Sequence, residues 1–230
     1  NDPWILDQEH PLDQKGFSPL HFAAYKGNAE LVRYLLDFNS YQIARGNPFT
    51  ALHCASMQGH VEILELIISV IGCSTLLSQD NQGYNAMHLA SQADQVKCAT
   101  LLLNFEEDIA KEESIAPELD ETCKIRVGSM CSCRDCKGRT PIMLAAAANS
   151  TQVLSILLDL HLKICALHPI VVADPSSFLI KDINSLDLCQ AVDHEGLTVL
   201  HHASLANSDV AGLLILKKFV LIIYSSILAC

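Results

Sequence analysis

Charge is scarce in this chain, and positive charge is the scarcer sign. Only 18% of its 230 residues are Asp, Glu, Lys or Arg, and 15 basic residues face 26 acidic ones for a net charge of −11. Nucleic-acid binding needs a basic surface to neutralise phosphate, so that class is excluded, and an anionic membrane is a poor partner for the same reason. Motifs of catalysis are missing too. There is no Gly-rich phosphate loop, no G-x-S-x-G, no H-E-x-x-H and no pair of carboxylates anchored in rigid elements, so neither an enzyme nor a small-molecule substrate is expected. Ten cysteines are too few for a disulfide scaffold and most fall inside apolar helical patterns, which points to a reducing, intracellular setting, cytoplasmic or nuclear. The longest uncharged run at the C-terminus, "FVLIIYSSILAC", has twelve residues where a membrane span wants about 20. Residue 1 is Asn and no basic-then-apolar leader opens the chain, which reads as a fragment or an uncaptured start.

Apolar residues are not lacking. They make up half of the sequence, enough for a core, and they recur. "SPLHFAA" at 18–24 returns as "TALHCAS" at 50–56, "NAMHLAS" at 85–91, "TPIMLAA" at 140–146 and "TVLHHAS" at 198–204. Two residues before each copy stand Gly16, Pro48, Gly83, Gly138 and Gly196, and three earlier Asp13, Arg45, Asp80, Asp135 and Asp193. Gly27, Gly59, Asp94, Asn149 and Asn207 follow six residues after the His position, all types that tolerate a left-handed backbone. A second apolar run then begins in each copy. Each unit therefore reads as a turn, a short helix, a tight turn and a longer helix. Ser18, Thr50, Thr140 and Thr198 suit N-caps, Pro19 and Pro141 the first helical position, and the paired small residues allow close helix approach.

These residues resemble the ankyrin-repeat signature D-x-x-G-x-T-P-L-H-x-A-A. The resemblance implies an all-α ankyrin-repeat solenoid with hairpin turns between helix pairs. It also implies that His21, His53, His88 and His201 tie neighbouring units together rather than act as catalysts or metal ligands. Met143 takes their place in the fourth unit. Counted from the Ser/Thr position, the spacings are 32, 35, 55 and 58 residues. Against a period of about 33 this places repeats at 13–45, 46–79, 80–105, 135–160 and 193–218. Residues 1–12 read as the tail of a preceding unit, 106–134 and 161–192 as insertions, and 219–230 as an apolar tail, an aberrant or truncated end that either folds back over the last unit or sticks to other molecules.

The first insertion opens acidic and reads as a solvated loop or short helix, then carries Cys123, Cys131, Cys133 and Cys136. Four thiolates could hold zinc, but the spacing C-x7-C-x-C-x2-C lacks paired C-x2-C knuckles, and a flexible surface loop is the preferred reading. No cofactor is expected. In the second insertion His161, Cys165, His168 and Cys189 are too scattered to make a metal site.

A stack of such units offers a long concave surface of hairpin tips and first-helix ends. The variable positions there nominate Phe17, Phe49, Tyr84, Arg139 and Leu197 after the hairpins, and Tyr25, Lys26, Met57, Gln58 and Gln92 on the helices, as partner-binding residues. Phe17, Phe49 and Tyr84 either anchor a partner or pack between adjacent hairpins. Residues 46–55 and the stretches at 135–158 and 196–216 are similar to the late repeats of the ankyrin-array regulatory subunits of serine/threonine protein phosphatase 6. That likeness implies a non-catalytic scaffold for a phosphatase assembly or its substrates. The alternative is the cytosolic ankyrin segment of a membrane protein, such as a channel or a palmitoyltransferase.

Overall fold

A computed structural model describes residues 17–37, 49–72, 75–115, 129–167 and 191–228. Among them the regular elements are helices: α1 (Pro19–Lys26), α2 (Ala29–Asp37), α3 (Ala51–Gln58), α4 (Val61–Ile71), α5 (Ala86–Gln92), α6 (Val96–Ile115), α7 (Ser129–Ser132), α8 (Pro141–Ala147), α9 (Thr151–Leu167), α10 (Val199–Leu205) and α11 (Asp209–Leu228). The five expected helix pairs are all present. Short helices α1, α3, α5, α8 and α10 pack each on the next as an inner row, and α2, α4, α6, α9 and α11 form an outer row behind them. This is an all-α ankyrin solenoid.

Local chemistry explains each pair. Ser18, Thr50, Asn85, Thr140 and Thr198 stand in extended conformation ahead of the inner helices, and Pro19 and Pro141 occupy the first turn, where a missing N–H leaves no unmet bond. The turn to the outer helix requires one residue at positive φ. Gly27 and Gly59 supply it at 80° and 83°, while Asp94, Asn149 and Asn207 adopt 52°, 57° and 52°, residue types that pay less than others for this region.

The third motif position (Leu20, Leu52, Met87, Ile142) is sealed between units, at 1% exposure or less. The adjacent small pairs Ala23–Ala24, Ala55–Ser56, Ala90–Ser91 and Ala145–Ala146 are buried as well, which lets inner helices approach closely. Hairpins stack by backbone: Cys136 N–H donates to Gln82 O at 2.8 Å and His194 N–H to Lys137 O at 2.9 Å. A Cβ on Gly83 would lie 2.8 Å from Asp135 Cα, so this contact admits only glycine without a shift of the chain.

Three boundaries read from the period differ from the structure. Helix α6 does not stop at 105 but runs to Ile115, and Glu106, expected in a solvated loop or short helix, is helical but fully buried, its carboxylate accepting the Met130 N–H at 2.8 Å. Met130 and Cys131 in α7 are buried too, in the place where the buried Leu76 closes the second unit. The stretch 129–134 is therefore the end of the third repeat and not a flexible surface loop. Helix α9 likewise continues past 160, to Leu167. At the C-terminus, residues 219–228 continue α11 as backbone helix instead of folding back over the last unit. Among the described residues no helix is long and apolar enough to cross a membrane.

Candidate interaction surface

His21, His53 and His88 are the joints of the stack, whereas His201, expected to act likewise, is exposed and bonds to Thr198 of its own unit. His21 Nε2 lies 2.9 Å from Phe49 O, His53 Nε2 2.8 Å from Tyr84 O, and His88 Nε2 3.2 Å from Arg139 O, each carbonyl belonging to the next unit. A carbonyl only accepts, so Nε2 carries the proton. On the other side Nδ1 accepts the backbone N–H of Ser18, Thr50 or Asn85 at 3.1–3.2 Å. Both ring nitrogens are thus committed in the neutral form. Burial pushes the His53 and His88 pKa down, His88 to about 4, and the accepting carbonyl only partly offsets it. None of these rings is left over to ligate or catalyse.

The aromatic side chains pack along the row of hairpins. Phe17 meets Phe49 edge-on with ring centroids 5.8 Å apart, Phe49 lies over His53 at 5.0 Å, and Tyr84 lies against His88 at 5.8 Å. The Tyr84 hydroxyl accepts from Arg139 Nη2 at 2.8 Å, and Arg139 Nε and Nη2 both reach Asp135 Oδ2, at 2.8 and 2.7 Å. Phe17, Phe49 and Tyr84 thus pack within the row of hairpins while each keeps part of its surface exposed, and Arg139, half-buried as well, belongs to the same ladder. Leu197 is half-buried.

The inner-helix ends are different. Tyr25 is 42% exposed with Lys26 Nζ 5.9 Å above its ring; Gln58 and Gln92 are exposed and Met57 is half-buried. Their backbones are fixed from the following unit. His60 Nε2 lies 3.2 Å from Tyr25 O, Gln95 Nε2 donates to Met57 O at 3.3 Å and Ser150 Oγ to Gln92 O at 3.4 Å. These are carbonyls that a helix end leaves without an internal partner. The row is therefore a set of outward side chains on a pinned backbone, a suitable base for recognition.

The cysteine cluster is dispersed. Cys123 lies outside the described residues. Cys131 is buried, Cys133 is half-buried with its thiol towards Ser129 O at 3.4 Å, and Cys136 is exposed at the hairpin tip beside Gln82. Burial raises the Cys131 and Cys133 pKa above that of a free thiol, and Cys54 and Cys98 rise to about 12 and about 11, the reverse of what a reactive thiolate needs. Among the described residues no three His, Cys, Asp or Glu side chains gather as a metal site. His161 is buried in α9, the Cys165 side chain is not described, and His168 and Cys189 lie outside the described residues.

Sequence reading missed several ties. His202 Nε2 stands 2.9 Å from the buried Asp193 Oδ2. Burial alone would raise the Asp193 pKa, but the Leu197 N–H, the His202 ring and the Glu195 N–H together hold it below the usual carboxylate value. Arg134 Nη1 donates to Gly138 O at 2.8 Å and Val192 O at 2.6 Å, stitching the fourth unit to the fifth. Asn85, standing where other units have Ser or Thr, uses its extra amide to reach Met130 O at 2.9 Å. Only the Asn-for-Thr exchange left a mark in the sequence.

Comparison with known proteins agrees with this geometry. The family profile described as "Ankyrin repeats (3 copies)" matches residues 3–76 and 40–113, and "Ankyrin repeat" matches 137–167. The fifth unit lies beyond those spans and is recognised by its fold. The chain is 25% identical over 228 aligned residues to "Leucine-rich repeat serine/threonine-protein kinase 1" of Caenorhabditis elegans, covering 79% of this chain and 9% of that protein. It is 28% identical over 157 residues to "Probable E3 ubiquitin-protein ligase XBOS32" of Oryza sativa subsp. japonica, covering 62% and 30%. With the human "Transient receptor potential cation channel subfamily A member 1" it shares 35% over 69 residues, covering 30% and 6%. The chain spans about a third at most of the length of the curated relatives it matches. The relatives' names differ while the shared segment is the repeat array, a non-catalytic interaction fold, and this chain belongs to the ankyrin-repeat family.

Proposed function

We propose that the chain is a non-catalytic scaffold that holds a protein partner along the inner-helix row, in the cytosol or nucleus. The observation that supports this is the row Tyr25, Lys26, Gln58 and Gln92: outward side chains at the ends of successive inner helices, where the next unit pins the backbone at the Tyr25, Met57 and Gln92 carbonyls. Preorganised side chains lose less entropy on binding than mobile ones. The finer proposal, a regulatory or substrate-recruiting subunit of a phosphatase 6-type complex, rests on the sequence resemblance at residues 46–55; none of the relatives named above is a phosphatase subunit. A second reading, the cytosolic ankyrin segment of a membrane protein, draws on the similarity to a cation channel.

The test is co-purification of the phosphatase 6 catalytic subunit and its known assembly partners with the tagged chain, beside a variant carrying Tyr25→Ala, Gln58→Ala and Gln92→Ala. Capture by the chain, lost in a variant that melts at the same temperature, supports both surface and partner. Equal capture by the two removes the surface assignment. No phosphatase component in either arm removes the phosphatase reading and leaves the interaction scaffold.

A further inference from the structure

The last helix departs from its four predecessors in a way the stack does not require. On the outer helices, two positions carry polar side chains in the first four units: Glu30, Glu62, Lys97 and Gln152 at one, Arg33, Glu65, Thr100 and Ser155 at the other. They line the outer surface, and Arg33 and Glu62 pair across it at 3.0 Å. In α11 the same positions hold Val210 and Leu213, 56% and 67% exposed. Leu216 and Val220 are about half exposed and extend the apolar surface along the helix. At 3.6 residues per turn, these four side chains fall within an arc of about 120° centred near Leu213. The opposite side of α11, with Ala211 and Ile215, is fully buried in the core.

Two charges flank this stripe on the same arc. Asp209 and Lys217 are exposed, and neither forms a salt bridge among the described residues, whereas the neighbouring Lys218 is engaged by Asp159. Asp209 and Lys217 are equidistant from Leu213, four residues to either side, and Val210 and Leu216 are equidistant too, at three. A two-fold axis through Leu213 therefore sets Leu213 against itself, Val210 against Leu216 of a second copy, and Asp209 against Lys217 at both ends. The apolar register and the charge register coincide for one arrangement, antiparallel. A two-fold contact uses one patch twice and closes on itself, which is how a self-complementary surface is satisfied.

We infer that the outer edge of α11 is a homodimer surface, on which two copies of the chain pair as antiparallel helices about Leu213. It is separate from the inner-helix row, so the dimer carries two scaffold surfaces at once.

Sedimentation equilibrium of the full 230-residue chain at micromolar concentration tests this. The expected mass is twice that of the 25.1 kDa chain. Leu213→Glu places two carboxylates at the axis and yields a monomer that keeps the helical content of the parent chain, because within one chain that side chain makes no core contact. Asp209→Lys and Lys217→Asp, each alone, set like charges opposite each other and weaken dimerisation by roughly tenfold. The double variant Asp209→Lys with Lys217→Asp restores it. A monomer at 100-fold higher concentration, or association that persists in Leu213→Glu, overturns the dimer. Failure of the double variant to recover the affinity overturns the antiparallel register.

Discussion

At the residue scale, the fourth unit shows what the motif histidine supplies. Met143 stands in its place, and the Thr140 hydroxyl is buried with no hydrogen-bond partner. The joint to the fifth unit consequently lacks the ring that reaches Phe49, Tyr84 and Arg139 carbonyls elsewhere. Met143→His returns an acceptor to Thr140 Oγ1 and a donor to the Leu197 carbonyl, and it is expected to raise stability by about 1 kcal/mol in urea unfolding. The leucines make a second comparison. Leu52 is wholly buried between units, whereas its counterpart Leu200, in the fifth unit, is half-buried. Leu52→Ala is expected to cost about 2–5 kcal/mol, and Leu200→Ala distinctly less. Equal losses in the two melts would contradict this packing.

At the element scale, α6 and α7 are held together by a buried polar clasp. The Glu106 carboxylate accepts the Met130 N–H, and the Asn85 side-chain amide donates to the carbonyl of the same residue, Met130. Glu106→Ala leaves that N–H buried and unpaired, a loss of about 1–3 kcal/mol. Hydrogen exchange should then show weakened amide protection across 129–132 while α3 and α4 keep theirs. Thiol labelling reads the same region without substitution. Cys136 is exposed and should react with a water-soluble disulfide reagent in the native protein, whereas Cys131 should react only on unfolding. Rapid native labelling of Cys131 would show that α7 does not stay docked.

At the scale of the molecule, the histidine joints make stability depend on pH. In the folded state His88 has a pKa of about 4 and His53 is lowered too, chiefly by burial, against about 6.5 for an unfolded chain. Above pH 6.5 both rings are neutral folded or unfolded, and the joints are at full strength. Below it the unfolded chain takes up protons first, so stability falls as pH drops from 6.5 towards 4. The His88 contribution to this loss is roughly 3 kcal/mol once pH is below both values. The melting temperature should therefore decline from pH 7 to pH 4.5, and His88→Gln should flatten the decline. A melting temperature that rises on acidification would contradict the neutral, Nε2-protonated assignment.

The solenoid was legible in the sequence because its constraints are local and repeat. A cap, a small-residue pair, a positive-φ turn and two apolar stripes are each specified within one unit, and five copies of the pattern determined the fold and the helix-pair order. What the period could not locate was decided across units. Glu106 reads as solvated until α7 and the Met130 N–H enclose it. Phe17, Phe49 and Tyr84 read equally as partner anchors or as packing until the stack sets Phe17 edge-on to Phe49 at 5.8 Å and brings Arg139 to the Tyr84 hydroxyl at 2.8 Å. Val210 and Leu213 read as ordinary apolar helix until the stack leaves both more than half exposed, at positions that are polar in the other units. Burial and partnership belong to the stack, because every unit finishes its core on its neighbour. The sequence determined which segments form units, and only the tertiary structure decided which of their side chains remain free to meet another molecule.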